Sequence, residues 1–170
     1  MASHPAEGVA GLFREHHGDL VRLAVLMVGD QPTAEDVVQD AYASMHARWG
    51  QLADKAAALP YIRAAILNGC RTVLRRRGVA RRVGVLHRAS APPAVLASAE
   101  QEVILSEDRR QVLSALARLP RRRREVLVLR YYLGLSEAEI AAMLSISTGT
   151  VKSTAARALA ALGRDLGEEA

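Results

Sequence analysis

An all-α fold, with two small helical bundles joined by a flexible linker, is predicted by three features of this sequence. Apolar residues recur at helical spacing, long strand-like alternations are absent, and Ala and Leu dominate while only six residues are aromatic. Helix-start signatures recur as well: S-x-x-E at Ser136 and Glu139, S-x-x-Q at Ser98 and Gln101, and Pro32 just after Gly29-Asp30. Between these periodic halves, residues 79–97 mix Arg, Gly, Ser and the pair Pro92-Pro93 with no sustained period.

The first helix is expected from about Val9 to Val28, with Leu12, Phe13, Leu20, Leu23, Ala24 and Met27 turned inward. Gly29-Asp30 breaks it. Pro32 suits the first turn of a second helix reaching about Trp49, with Val37, Val38, Ala41 and Met45 inward. Gly50 and the Ala-rich stretch to Leu59-Pro60 make an irregular turn. A third helix runs from near Pro60 to about Arg77 with Ile62, Ile66, Cys70 and Val73 on one stripe, and Gly78 ends the bundle. These helices suffice for a domain over 8–78, followed by the linker over 79–97 and a second domain over 98–165.

In that second domain, Ser98 starts a helix running to about Leu119, and Pro120 separates it from RRRREVLVLRYYLGL, a helix ending near Gly134. The Ser136 capping box opens a short helix whose buried face is Ile140, Met143 and Leu144. Ser145-Ile146-Ser147 interrupts the pattern, and Ser147 is a good N-cap for the last helix. There Val151, Ala155, Ala158, Leu159 and Leu162 share one side. Ser153, Arg157 and Arg164 fall opposite, Lys152 flanks them, and Ala156 and Ala160 leave room for close approach. An apolar back, a polar front and small residues at the front are what a helix-turn-helix recognition helix needs. A helical hairpin inside an all-α core would show the same apolar stripe.

The net charge of +5 is unevenly spread. Residues 1–54 carry a balance of −5, residues 55–99 carry nine basic side chains and no acidic one, and residues 100–170 balance at +1. Forty-five residues without a carboxylate suggest a segment that meets a polyanion, and the acidic N-terminal part suggests a basic partner. Arginine outnumbers lysine by 21 to 2, a hint of a GC-rich genome. No apolar run is long enough to cross a bilayer, so no membrane insertion is expected. The N-terminus lacks a basic start and an apolar secretion core, and a single cysteine agrees with a reducing, cytoplasmic setting.

Two further constellations stand out. On the third helix Asn68, Arg71 and Arg75 project within about sixty degrees of one another by the helical period, with Arg76, Arg81 and Arg82 extending the charge. Guanidinium groups one turn apart match a phosphate backbone and an Asn can read a base edge, although arginines at a helix C-terminus also complement its dipole. On the second helix Asp36, Gln39, Asp40, Ala43 and Ala47 share the exposed side. Such a face suits a basic partner helix, while a favourable helix dipole accounts equally for Asp36. Catalysis finds no footing: the five histidines lack partners at metal-ligand spacing, Cys70 stands alone on an apolar face, and no phosphate loop or nucleophile elbow occurs. No enzyme activity and no cofactor are expected.

The assembled pieces resemble bacterial sigma factors of the extracytoplasmic-function class (group 4), in an actinobacterial-like version. TAEDVVQDAYASMHARW at 33–49 is similar to that family's polymerase-binding helix, and PYIRAAILNGCRTVLRRR at 60–77 to its −10 recognition helix. The string from 116 to 162, with LxxLPRxxREVLVLRYYxGLSxxEIAxxL, resembles the −35 reading domain. The resemblance implies that 8–78 is sigma domain 2 and 98–165 is sigma domain 4. It implies a non-catalytic subunit that joins RNA polymerase core and directs promoter-specific initiation. Asp36, Gln39 and Asp40 would dock on the clamp coiled coil, and the second domain would bind the polymerase flap. Asn68, Arg71, Arg75 and Arg76 would contact −10 promoter DNA, and Lys152, Ser153 and Arg157 the −35 element. The loop between Trp49 and Pro60 would hold an extruded −10 base, and few aromatics to offset extrusion by stacking imply a narrow −10 preference. The family also commonly has an anti-sigma factor as partner. Two departures bear on this: Thr154-Ala155-Ala156 follows Lys152-Ser153 where basic or polar residues are common, and Tyr61 stands where the −10 helix commonly opens with Trp.

Two other classes compete. A stand-alone helix-turn-helix regulator would bind operators as a dimer, but no heptad seam offers a dimer interface and the acidic helix would be idle. A signalling adaptor without DNA binding is disfavoured by the carboxylate-free middle segment.

Overall fold

In the computed structural model, residues 5–83 and 107–167 are described. The capping box expected at Ser98 and Gln101 and most of the expected linker lie outside them. The chain divides into two units, 1–91 and 92–170. All regular structure among the described residues is helical.

Unit 1 holds α1 (Pro5–Val28), α2 (Gln31–Arg48) and α3 (Ala58–Arg82), with each pair in contact. Leu20, Leu23, Ala24 and Met27 of α1 meet Val38, Ala41 and Met45 of α2 and Ile62, Ile66, Leu67 and Cys70 of α3 in a core that excludes water. A Cβ on Gly69 would come within 2.8 Å of Val37 Cγ1, so the glycine lets α3 lie close on α2. Three positions depart from expectation. Phe13 is 44% exposed, stacking on His17 and tilting against Tyr42 at the bundle's edge rather than entering the core. Leu12 and Val73 are only half-buried. Tyr42 itself is buried, donates from its hydroxyl to Leu12 O at 3.3 Å, and has its pKa pushed up by burial to about 12.

The α1–α2 corner is closed by charge. Asp30 caps α2 by accepting from Thr33 N at 3.0 Å, and Gly29 takes the positive φ of 90° that ends α1. Arg77 reaches in from α3 and donates to Val28 O at 2.7 Å, Asp30 Oδ2 at 2.7 Å and Thr33 Oγ1 at 2.9 Å. Burial alone would raise the Asp30 pKa. Hydrogen bonds from Thr33 and Arg77, with Arg77's charge, outweigh burial and hold it below the ordinary value. A carboxylate with a depressed folded pKa stabilises the fold above its unfolded pKa of about 3.9, and that contribution is lost as pH falls through the folded value. Arg77→Ala is therefore expected to cost about 2–3 kcal/mol at neutral pH, as for hydrogen bonds to charged groups. The deficit relative to the parent chain should shrink in urea unfolding below about pH 4. An equal deficit at both pH values would remove the role assigned to Asp30.

Helix α3 does not stop at Gly78. It continues to Arg82, with Val83 N donating to Val79 O at 3.1 Å. The first residues of the stretch read as linker, 79–82, are therefore helical.

Unit 2 holds α4 (Glu107–Arg118), α5 (Arg121–Leu127), a π-helical turn over Val128–Tyr132, α6 (Glu137–Leu144) and α7 (Thr148–Asp165). The buried Arg124 donates to the carbonyls of Ala117 and Leu119, satisfying groups that the end of α4 leaves open at Pro120. In the π turn Leu133 N bonds Val128 O at 3.1 Å, and Gly134 with φ 66° turns the chain toward α6. The core is Ala115, Leu116, Val126, Leu127, Leu129, Ile140, Leu144, Val151 and Ala158.

Candidate nucleic-acid interface

The geometry of α6 and α7 follows from three serines. Ser136 accepts from Glu139 N at 3.2 Å while Glu139 Oε2 accepts from Ser136 N at 2.8 Å, so both halves of the capping box are made. Ser145 adopts the left-handed conformation, φ 54° and ψ 50°, and turns the chain. Ser147 caps α7 by accepting from Thr150 N at 3.1 Å. This is a helix-turn-helix. Val151, Ala155 and Ala158 of α7 are buried, while Lys152, Ser153, Ala156, Arg157, Ala160 and Arg164 are exposed. Lys152, Ser153 and Arg157 thus stand together on the open face. Ser153 Oγ donates to Thr150 O at 3.2 Å, so its hydroxyl is held along the helix and keeps acceptor capacity outward. Leu159, expected inward, is 43% exposed, and Leu162 and Met143 are half-buried.

Behind this face, Arg122 Nη1 approaches both the fully buried Glu125 carboxylate and Leu144 O, each at 3.5 Å. Arg121 Nε lies 3.8 Å from the same carboxylate. Arg130 Nη1 meets Glu137 Oε1 at 2.7 Å, and that hydrogen bond raises the Arg130 pKa. The Arg122–Leu144 and Arg130–Glu137 contacts tie α5 and the π turn to the helix-turn-helix. The Arg121–Glu125 and Arg122–Glu125 pairs sit at i,i+4 and i,i+3 and so follow the helical period, whereas Arg122 with Leu144 O and Arg130 with Glu137 reach beyond one turn, which no periodicity shows.

On α3, Asn68, Arg75 and Arg76 are exposed and Arg71 is half-buried. Arg71 Nη1 donates to Asn68 Oδ1 at 2.9 Å, so the arginine orients the amide beside it. The helix extension adds exposed Arg81 and Arg82 to the same cationic surface. Tyr61 is half-buried near the start of α3. On α2, Asp36, Gln39, Asp40, Ala43 and Ala47 are all exposed, opposite buried Ala34, Val37, Val38, Ala41 and Met45. Between α2 and α3 the chain makes two 3₁₀ turns, Trp49–Gln51 and Lys55–Ala57.

A helix-turn-helix with a cationic front in one unit, and an exposed arginine-lined helix beside an acidic one in the other, have the layout of a DNA-binding protein. Models of sigma-70 region 2 and sigma-70 region 4 match residues 12–79 and 109–162 respectively. The chain is 36% identical over 156 residues to the ECF RNA polymerase sigma factor SigM of Mycobacterium tuberculosis, covering 92% of this chain and 76% of that one. It is also 36% identical over 156 residues to the RNA polymerase sigma-E factor of Streptomyces antibioticus, covering 91% and 82%. Its fold is similar to the sigma factor RpoE of Bartonella quintana, solved in complex with the anti-sigma factor NepR, at TM-score 0.73 and 22% identity over 94% of this chain and 99% of that chain. The chain belongs to the extracytoplasmic-function sigma factors, the subunits that direct RNA polymerase to promoters for specific initiation.

Proposed function

We propose that the three exposed faces divide the labour of initiation: α2 docks on polymerase core through Asp36, Gln39 and Asp40, α3 reads the −10 element through Asn68, Arg71, Arg75 and Arg76, and α7 reads the −35 element through Lys152, Ser153 and Arg157. The clamp coiled coil is the partner proposed for α2 and the flap for unit 2. The 49–60 segment, between the acidic and cationic helices, takes the extruded −10 base, with a narrow sequence preference. The observation that carries this reading is that unit 1 alone exposes an acidic helix face and a separate arginine-lined one. An operator-binding repressor has use for only the second.

The subunit performs no chemistry itself in this reading and works in the cytoplasm, where polymerase and promoter meet. No described helix is long and apolar enough to cross a membrane. An anti-sigma factor is the second protein partner proposed, by analogy with the solved Bartonella neighbour.

Run-off transcription with core polymerase tests the division. Arg157→Ala is expected to relax preference at one −35 position by about 1–3 kcal/mol while leaving other positions alone. Within the α3 surface Asn68 is the base-edge reader and Arg75 and Arg76 hold the phosphate backbone in register, so loss of either arginine should instead weaken all promoters alike and reduce the salt slope by about one. Unchanged −35 selectivity and transcription in Arg157→Ala would show that α7 is not the reading helix.

A further inference from the structure

We infer that Gly8, Trp49 and Lys55 form a latch that fixes the shape of the 49–60 segment, making them positioning residues for −10 base capture. The inference rests on that segment being the capture loop as proposed above. Trp49 opens the segment and is 5% exposed, whereas Gly50, Gln51, Ala53, Ala56 and Ala57 after it are all exposed. Its indole lies directly against the backbone of α1. A Cβ on Gly8 would stand 2.1 Å from Cζ2 and 2.6 Å from Cε2, separations that real Cβ atoms essentially never show, and 3.0 Å from Cη2. Only glycine at this position lets the ring seat there.

Lys55 closes the turn from the other side. Its Nζ donates to Trp49 O at 2.6 Å and stands 4.5 Å from the centre of the Trp49 ring, so one cation holds both backbone and ring. Asp54 then accepts from Ala56 N at 2.9 Å and starts the second 3₁₀ turn. The exposed residues between these anchors are small or polar and cannot build a core of their own. The loop therefore takes its shape from α1, through one glycine outside both the loop and the DNA-facing helix. A pocket held in one shape discriminates bases, while a loose one accommodates them.

The test uses holoenzyme reconstituted from the full chain and core polymerase, presented with a promoter library randomised across the −10 region, from which open complexes are recovered. Gly8→Ala should still co-elute with core and keep its −35 preference. Its preference at one −10 position should flatten by about tenfold, within what one base contact supplies. Because Trp49 is the only tryptophan, its emission reports the latch directly and should shift to the red in Gly8→Ala. Trp49→Phe in the Gly8→Ala background removes the clashing part of the ring and should restore much of the preference. Lys55→Met should reproduce the flattening and Lys55→Arg should not, and this pair decides the matter if Gly8→Ala fails to fold. Parent-like preference at every −10 position in a folded Gly8→Ala or in Lys55→Met would overturn the latch. A parent chain with no preference at any −10 position would instead overturn the capture reading itself.

Discussion

Reversing both carboxylates of α2, Asp36→Arg with Asp40→Arg, is expected to leave a folded protein that no longer joins core polymerase. Both side chains are exposed, and substitutions at such positions usually shift stability by no more than about 0.5 kcal/mol. The local helix energetics barely change, since one like-charge pair a turn apart replaces another. Helix α2 begins at Gln31, so Asp36 lies beyond the first turn, where the helix dipole has largely faded. The dipole therefore no longer explains Asp36 as well as docking does. Against a basic coiled coil, two attractive pairs become two repulsive ones, and assembly should weaken by several kcal/mol. Circular dichroism checks the fold, and co-elution with core checks assembly. Normal co-elution of the double reversal would move the contact elsewhere on unit 1.

What was legible in the sequence was whatever is written locally. Ser136, Glu139 and Ser147 announced α6 and α7 because a cap is a contact between residues three apart, and the structure makes each of those hydrogen bonds. The exposed acidic face of α2 and arginine face of α3 followed from the 3.6-residue period alone. Gly78 was misleading as a stop. A helical glycine costs only about 1 kcal/mol relative to Ala, too little to end a helix by itself, so α3 runs on to Arg82. Phe13 and Leu159 fell on the apolar side of their wheels but at its margin, and both stay more than two-fifths exposed. The contacts of Arg77 with Asp30, of Arg122 with Leu144, and of Gly8 with Trp49 join residues 47, 22 and 41 positions apart. Such pairings depend on tertiary approach, which no local window contains.

The buried carboxylate of Glu125 supplies the largest stability effect expected in unit 2. It is fully buried, while its partners Arg121 and Arg122 are 48% and 43% exposed. The pair is thus asymmetric: one charge has left water and the other two have not. Removing both arginines, Arg121→Ala with Arg122→Ala, takes two cationic partners from a buried charge, a change that costs about 3–5 kcal/mol in fully buried pairs. Partial solvent screening of the guanidinium groups places this case near the lower figure, about 3 kcal/mol. Loss of Arg122 also uncaps Leu144 O at the end of α6, next to the left-handed Ser145, so the helix-turn-helix should loosen first. Glu125→Met is the opposite experiment. It takes the buried charge away and leaves two arginines that water already solvates, so stability should stay within about 1 kcal/mol or rise. Urea unfolding followed by circular dichroism measures both variants. If Glu125→Met proved as damaging as the double arginine variant, the carboxylate would be holding unit 2 together through its own bonds, and the arginines would not be its compensation.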